Sequence, residues 1–234
     1  MTEPNSRTMS AQAQMGKDLV YLNVYPQDYN PDLEYPVIVM LHGLGASMYD
    51  LANLAPVIGS KGYLYVLPNA PIPIQVAQGA LAFSWNIPGG TDPEQTRRCE
   101  EKLEGFFEEL LELHPRAMGK CLLLGFSQGG GLTYKFGLPN PDLFAGLAAL
   151  SCSIRDPQAW KERLPDSKDQ SIFIAHGLDD NPDRARASRD FLEAEGYRPS
   201  YNEYQMGHEI NQDVLSDLVP WMHKVLPPLE SAKE

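Results

Sequence analysis

Lys120-Cys121-Leu122-Leu123-Leu124-Gly125-Phe126-Ser127-Gln128-Gly129-Gly130 decides how this chain is read. The apolar run at its start, bounded by a glycine, has the length and composition of a buried strand. From Gln128 the chain continues as a short helix over 128–137. Between strand and helix lies G-x-S-x-G, a serine on a sharp turn. A nucleophile placed there sits in a strained backbone conformation. Glycines two positions before and after remove side chains that would clash, and the helix start directs its free N–H groups at the reacting centre. Ser127 is therefore the candidate nucleophile rather than a simple helix cap.

Outward from this turn, short apolar runs alternate with helical patterns. Strands are expected over 18–25, 36–41, 63–67, 120–125, 143–150, 171–175 and 199–205, and helices over 49–58, 93–114, 128–137, 184–196 and 211–225. The helix over 93–114 is the clearest. Leu103, Phe106, Phe107, Leu110 and Leu111 recur at helical spacing, Asp92 and Pro93 start it, and His114-Pro115 ends it. The stretch 68–90 reads as a long loop rich in Pro, Gly and Ala. Alternating strands and helices give an α/β fold, with a mostly parallel central sheet flanked by helices. Such sheets gather ligands at the carboxyl ends of their strands.

Three further strand ends carry chemistry. After 36–41 comes His42-Gly43-Leu44-Gly45. A backbone N–H from this loop, Leu44, can pair with the N–H of Gln128, the residue after the nucleophile, as an oxyanion hole. His42 precedes the nucleophile and reads as a buried structural histidine. After 171–175 comes His176-Gly177-Leu178-Asp179-Asp180, where Asp180, with Asp179 as the alternative, can orient an imidazole. After 199–205 comes Met206-Gly207-His208-Glu209, which places His208 as the base. Serine, then acid, then histidine is the chain order of α/β-hydrolases. Ile72, Ile74, Val76, Leu81, Phe83 and Trp85 in the long loop are expected to wall a substrate pocket.

Composition narrows the remaining possibilities. The 234 residues are 43% hydrophobic and 21% charged, enough for one full core. Organisation is expected as a flexible tail over 1–16, one domain over 17–227 and a C-terminal tail over 228–234. Thirty-one acids against 19 bases leave a net charge of −12, which disfavours nucleic acid and anionic membranes. No apolar run reaches the ~18–20 residues of a membrane span, so no stable membrane insertion is expected. Cys99, Cys121 and Cys152, without CxxC spacing, read as thiols in a reducing, cytoplasmic setting rather than as metal ligands. No metal and no cofactor is called for.

LHGLG at 41–45, PNAP at 68–71, GFSQGG at 125–130, HG..D at 176–180 and GH at 207–208 together resemble the phospholipase/carboxylesterase family of α/β-hydrolases, which includes acyl-protein thioesterases. Ala82-Phe83-Ser84-Trp85-Asn86-Ile87 is similar to that family's aromatic segment after PNAP. The resemblance implies a compact serine esterase without a large cap domain. In it, Ser127 is the nucleophile, Asp180 the acid and His208 the base, with Leu44 and Gln128 as oxyanion donors. It also implies small esters, thioesters or lysophospholipids as substrates and leaves room for a homodimer. The rival readings are a peptidase or carbon–carbon bond hydrolase on the same fold, and a non-catalytic binding protein on this scaffold.

Overall fold

The computed structural model describes residues 8–76, 81–86, 92–114 and 119–230. Its strands are β1 (Ser10–Met15), β2 (Val20–Tyr25), β3 (Val37–Leu41), β4 (Leu64–Pro68), β5 (Ile72–Gln75), β6 (Leu81–Ser84), β7 (Cys121–Phe126), β8 (Phe144–Leu150), β9 (Ser171–Gly177) and β10 (Ser200–Tyr204). Its helices are α1 (Ala55–Gly59), α2 (Pro93–Leu113), α3 (Gln128–Gly137), α4 (Asp183–Ala194) and α5 (Gln212–Val225). Eight strands form one sheet in the order β1-β2-β4-β3-β7-β8-β9-β10. Pairing is parallel from β4 through β10, while β2 runs antiparallel to both β4 and β1.

The continuous apolar strands are explained by cover on both faces. In β3, Val37, Val39 and Leu41 join a core with Leu103, Phe106 and Leu110 of α2, Tyr134 of α3 and Leu192 of α4. The residues between them, Ile38 and Met40, face Ile58 of α1 and Val214, Leu218 and Met222 of α5. The same alternation divides Leu123 from Leu122 and Leu124 in β7, and Ile172 and Ile174 from Phe173 in β9. A strand buried on both sides needs no polar face, so the period-2 signal vanishes and the run reads as uniformly apolar. Asp92 caps α2 by accepting from the N–H groups of Glu94 and Gln95, with Pro93 in the first turn.

Four expectations need correcting. The tail over 1–16 is not frayed where it is described: Ser10–Met15 adds an edge strand to β2, because a polar strand with an exposed face needs no apolar pattern to pair. Residues 1–7 lie outside the described residues. The C-terminal tail is anchored at 228–230 through Leu229, whose N–H donates to the Gly62 carbonyl at 2.9 Å; residues 231–234 lie outside the described residues. The helix over 49–58 is a 3-10 turn, Ala52–Leu54, followed by the short α1. The long loop over 68–90 contains a hairpin, β5 paired with β6. Its Pro73 lies on an exposed position of β5 and so does not prevent pairing. Ile87 and Pro115 lie outside the described residues.

Candidate active site

The turn between β7 and α3 holds Ser127 at φ 54°, ψ −114°, a region that non-glycine residues rarely occupy. A backbone strained in this way costs of order 1–3 kcal/mol and persists only where its surroundings over-determine it. Here the surroundings are tight. A Cβ at Gly129 would lie 2.1 Å from the Leu41 carbonyl oxygen, and one at Gly125 would lie 2.3 Å from the Gly129 carbonyl oxygen. Only glycine lets α3 press against β3 and β7 closely enough to turn the serine outward. The Ser127 N–H donates to the Leu150 carbonyl at 2.9 Å, which ties the turn to β8.

His208 comes from the loop between β10 and α5. Its Nε2 lies 2.8 Å from Ser127 Oγ, and its Nδ1 lies 2.6 Å from Asp180 Oδ2. An ionised carboxylate only accepts, so Nδ1 carries the proton and Nε2 is left to accept from the serine hydroxyl. Phe126 packs its ring against the imidazole, with centroids 4.9 Å apart. Residues separated by 81 positions in the chain thus meet in one hydrogen-bonded line.

The two aspartates after β9 diverge. Asp179 accepts from Gln205 Nε2 at 2.8 Å, whereas Asp180 turns to His208. Asp180 is itself held: His176 Nε2 lies 2.7 Å from its backbone carbonyl and 3.4 Å from Oδ2. His176 is buried, and the sequence offers no sign of this contact beyond its place in the HG..D motif.

Leu44 and Gln128 come from the ends of neighbouring strands, after β3 and after β7. Gln128 is the first residue of α3, where N–H groups lack an intrahelical acceptor. Leu44 lies in the loop after β3, and that loop is held by its neighbours. His42 is buried, and burial pushes its pKa down, so the ring is neutral. Its Nε2 accepts from the Ala70 N–H at 3.0 Å and its Nδ1–H donates to the Gly43 carbonyl at 2.8 Å. Asn69 Oδ1 accepts from the Met48 N–H at 3.0 Å. PNAP is thereby the brace of the LHGLG loop, and His42 has the structural place expected for it.

The hairpin contacts this loop as well. The residues expected to wall a pocket are spread along it. Ile72, Ile74 and Phe83 are half-buried, while Val76 and Leu81 are exposed. Trp85 is only 3% exposed, and its indole N–H donates to the His42 carbonyl at 2.9 Å. That expectation is corrected for Trp85, which supports the loop from beneath. A cavity of about 320 Å³ opens against His208, lined by Ala46, Asp50, Leu54, Phe126, Glu209 and Ile210. None of the six hairpin residues lines it.

The Gln128 side chain is the feature that sequence reasoning missed. Its Oε1 accepts from the Trp85 N–H at 2.9 Å, and its Nε2 donates to Asn86 Oδ1 at 2.6 Å and to Ser84 Oγ at 3.2 Å. Among the described residues, no group of three His, Cys, Asp or Glu side chains could hold a metal ion, and no helix is long and apolar enough to cross a membrane.

Known proteins resemble this chain along most of its length. The family model described as phospholipase/carboxylesterase matches residues 30–226. Acyl-protein thioesterase 1 of Mycosarcoma maydis is 29% identical over 220 residues, covering 81% of this chain and 91% of that protein. Among solved structures, Arabidopsis thaliana SOBER1 superposes with a TM-score of 0.69 at 24% identity, over 82% of this chain and 99% of its own. Esterase PE8 gives a TM-score of 0.71 at 19% identity, over 94% and 100%. At these identities the two structures speak to the fold alone.

Proposed function

This chain belongs to the phospholipase/carboxylesterase family of α/β-hydrolases, and from that membership we propose that it cleaves carboxylic esters and thioesters through a serine acyl-enzyme. It is a hydrolase of the carboxylesterase/thioesterase type. One observation carries the proposal: His208 stands 2.8 Å from Ser127 Oγ on one ring nitrogen and 2.6 Å from Asp180 on the other.

In this reading His208 Nε2 takes the Ser127 proton as Oγ bonds to the acyl carbon. The carbonyl electrons move onto oxygen, where the N–H groups of Leu44 and Gln128 receive the charge. The tetrahedral intermediate collapses, the acyl–oxygen or acyl–sulfur bond breaks, and His208 returns the proton to the departing alcohol or thiol. Water then repeats the sequence. It loses a proton to His208, adds to the acyl carbon and releases the acid, and Ser127 recovers its hydrogen. Asp180 keeps the imidazole in the required tautomer and stabilises its cation.

The cavity beside His208 supports a substrate with one small apolar arm. At about 320 Å³ it lies at the lower end of the ~300–1,000 Å³ of ligand pockets. Ile72, Ile74, Val76, Leu81 and Phe83 on the hairpin supply a second apolar wall. Each buried methylene gains about 0.8 kcal/mol, so rate climbs over the first few carbons and then levels. The catalytic domain takes in Ser10–Met15 and Leu229 besides residues 17–227, and its buried thiols Cys99 and Cys152 suit the cytoplasm.

The test is intact mass after a fluorophosphonate probe, followed by kcat/KM for nitrophenyl esters from acetate to palmitate. A single adduct on the Ser127 peptide, absent in Ser127→Ala along with turnover, is expected. An active alanine variant would overturn the reading, and a rate still rising at palmitate would overturn the short-to-medium acyl preference.

A further inference from the structure

We infer that the Gln128 side chain is a positioning group that sets the spacing of the two oxyanion donors. The inference rests on the serine-esterase reading above and extends it from the backbone of Gln128 to its carboxamide.

The loop that carries Leu44 has little rigidity of its own. Two glycines flank that residue, and Gly45 lies at φ +80°. The orientation of the loop must come from outside. PNAP braces its His42 end, and three further hydrogen bonds come from one short piece of chain. The Trp85 indole N–H donates to the His42 carbonyl, the Gly45 N–H donates to the Phe83 carbonyl at 3.0 Å, and the Phe83 N–H donates to the Ala46 carbonyl at 2.9 Å. Both sides of Leu44 are therefore splinted by residues 83–85. The splint is tied down in turn by Gln128, whose carboxamide uses its oxygen and both hydrogens on Trp85, Asn86 and Ser84. Ser84 is fully buried.

The circuit closes on itself. The backbone of Gln128 offers one donor, and its side chain holds the strap that holds the other. A carboxamide engaged at every polar atom has one geometry, so α3 and the β3 loop cannot drift apart independently. Stabilisation of a developing charge depends on donors lying ~2.7–3.1 Å from where the oxyanion forms, and a shift of about 1 Å can cost 10²-fold in rate.

Gln128→Met tests this, because it keeps the length of the side chain and the backbone N–H while removing the three hydrogen bonds. Trp85→Phe removes the indole bond to His42 and part of the buried ring, while its backbone N–H still donates to Gln128. Active sites are counted by fluorophosphonate labelling carried to completion, and folding is followed by thermal unfolding. For Gln128→Met, kcat is expected to fall roughly 10- to 100-fold with KM within about twofold. Affinity for a trifluoromethyl ketone should fall by the same factor as kcat/KM. Trp85→Phe should lose less. The double variant should fall no further than Gln128→Met, because the two act through one strap. The pH midpoint of turnover should not move, since His208 and Asp180 are untouched. Full activity in Gln128→Met, a loss carried by KM, multiplying losses in the double variant, or a shifted pH midpoint would each overturn the inference. If Ser127→Ala is inactive while Gln128→Met is fully active, the inference alone falls. If Ser127→Ala is active, the catalytic reading falls with it.

Discussion

Two adjacent aspartates follow β9, and one of them reaches the imidazole. Sequence spacing favours Asp180 without excluding Asp179, since either can lie on such a loop. The choice is made by side-chain direction, and Gln205 draws Asp179 away. Asp180→Asn is expected to lower kcat by about four orders of magnitude, because the amide favours the wrong imidazole tautomer, whereas Asp179→Asn changes it a few-fold at most. Steady-state kinetics of the two variants decides between them, and the reverse ranking would reassign the acid. Residues recognised by chemical type are legible at this scale: the serine, aspartate and histidine that meet in one hydrogen-bonded line, and two glycine-rich turns. The carboxamide of Gln128 is not, because its partner lies 43 positions away on another turn.

The legibility of an element depends on whether its stability comes from its own pattern. α2, with a cap, a proline start and an apolar stripe, is legible almost to the residue. β1 is not, because its residues, polar or small except for Met15, are ordered by the neighbouring edge of β2. A chain beginning at residue 17 would leave that edge bare. It is expected to melt several degrees lower, at about 2–4 °C per kcal/mol for this size, and to aggregate on heating. An unchanged Tm by differential scanning calorimetry would restore the frayed tail. At the opposite edge, Arg186 of α4 holds Glu203 of β10 through paired bonds of 2.7 and 2.8 Å, joined by the Tyr201 hydroxyl at 2.6 Å. The guanidinium and then that hydroxyl pull the Glu203 pKa down to about 2. A carboxylate depressed in the folded state stabilises above its ordinary range and loses that contribution as pH falls toward 2. Glu203→Gln should therefore lower Tm at neutral pH, and the gap from wild type should close as the pH drops from about 4.5 to 2. A gap that is constant with pH would mean that the pair contributes packing only.

Across the whole molecule, the alternation of strands and helices and the order serine, acid, histidine are enough to anticipate the sheet and the end of it where Ser127, Asp180 and His208 meet. The hairpin and the cavity beside His208 are not legible. A cavity is a space left between elements, and its walls here come from the loop after β3, the end of β7 and the turn before α5. The route by which those pieces meet has a consequence in time. Ser127 follows β7 and His208 follows β10, with β8 and β9 intervening in the sheet. Contacts so distant along the chain close late, because the entropy of the intervening loop must be lost before they form. α2 can gain its hydrogen bonds within its own 21 residues. When denaturant is diluted away, circular dichroism at 222 nm should recover first and ester hydrolysis last. Turnover is then a clock for completion of the final parallel pairings, and a variant that slows β9–β10 docking would announce itself as a longer lag before product appears.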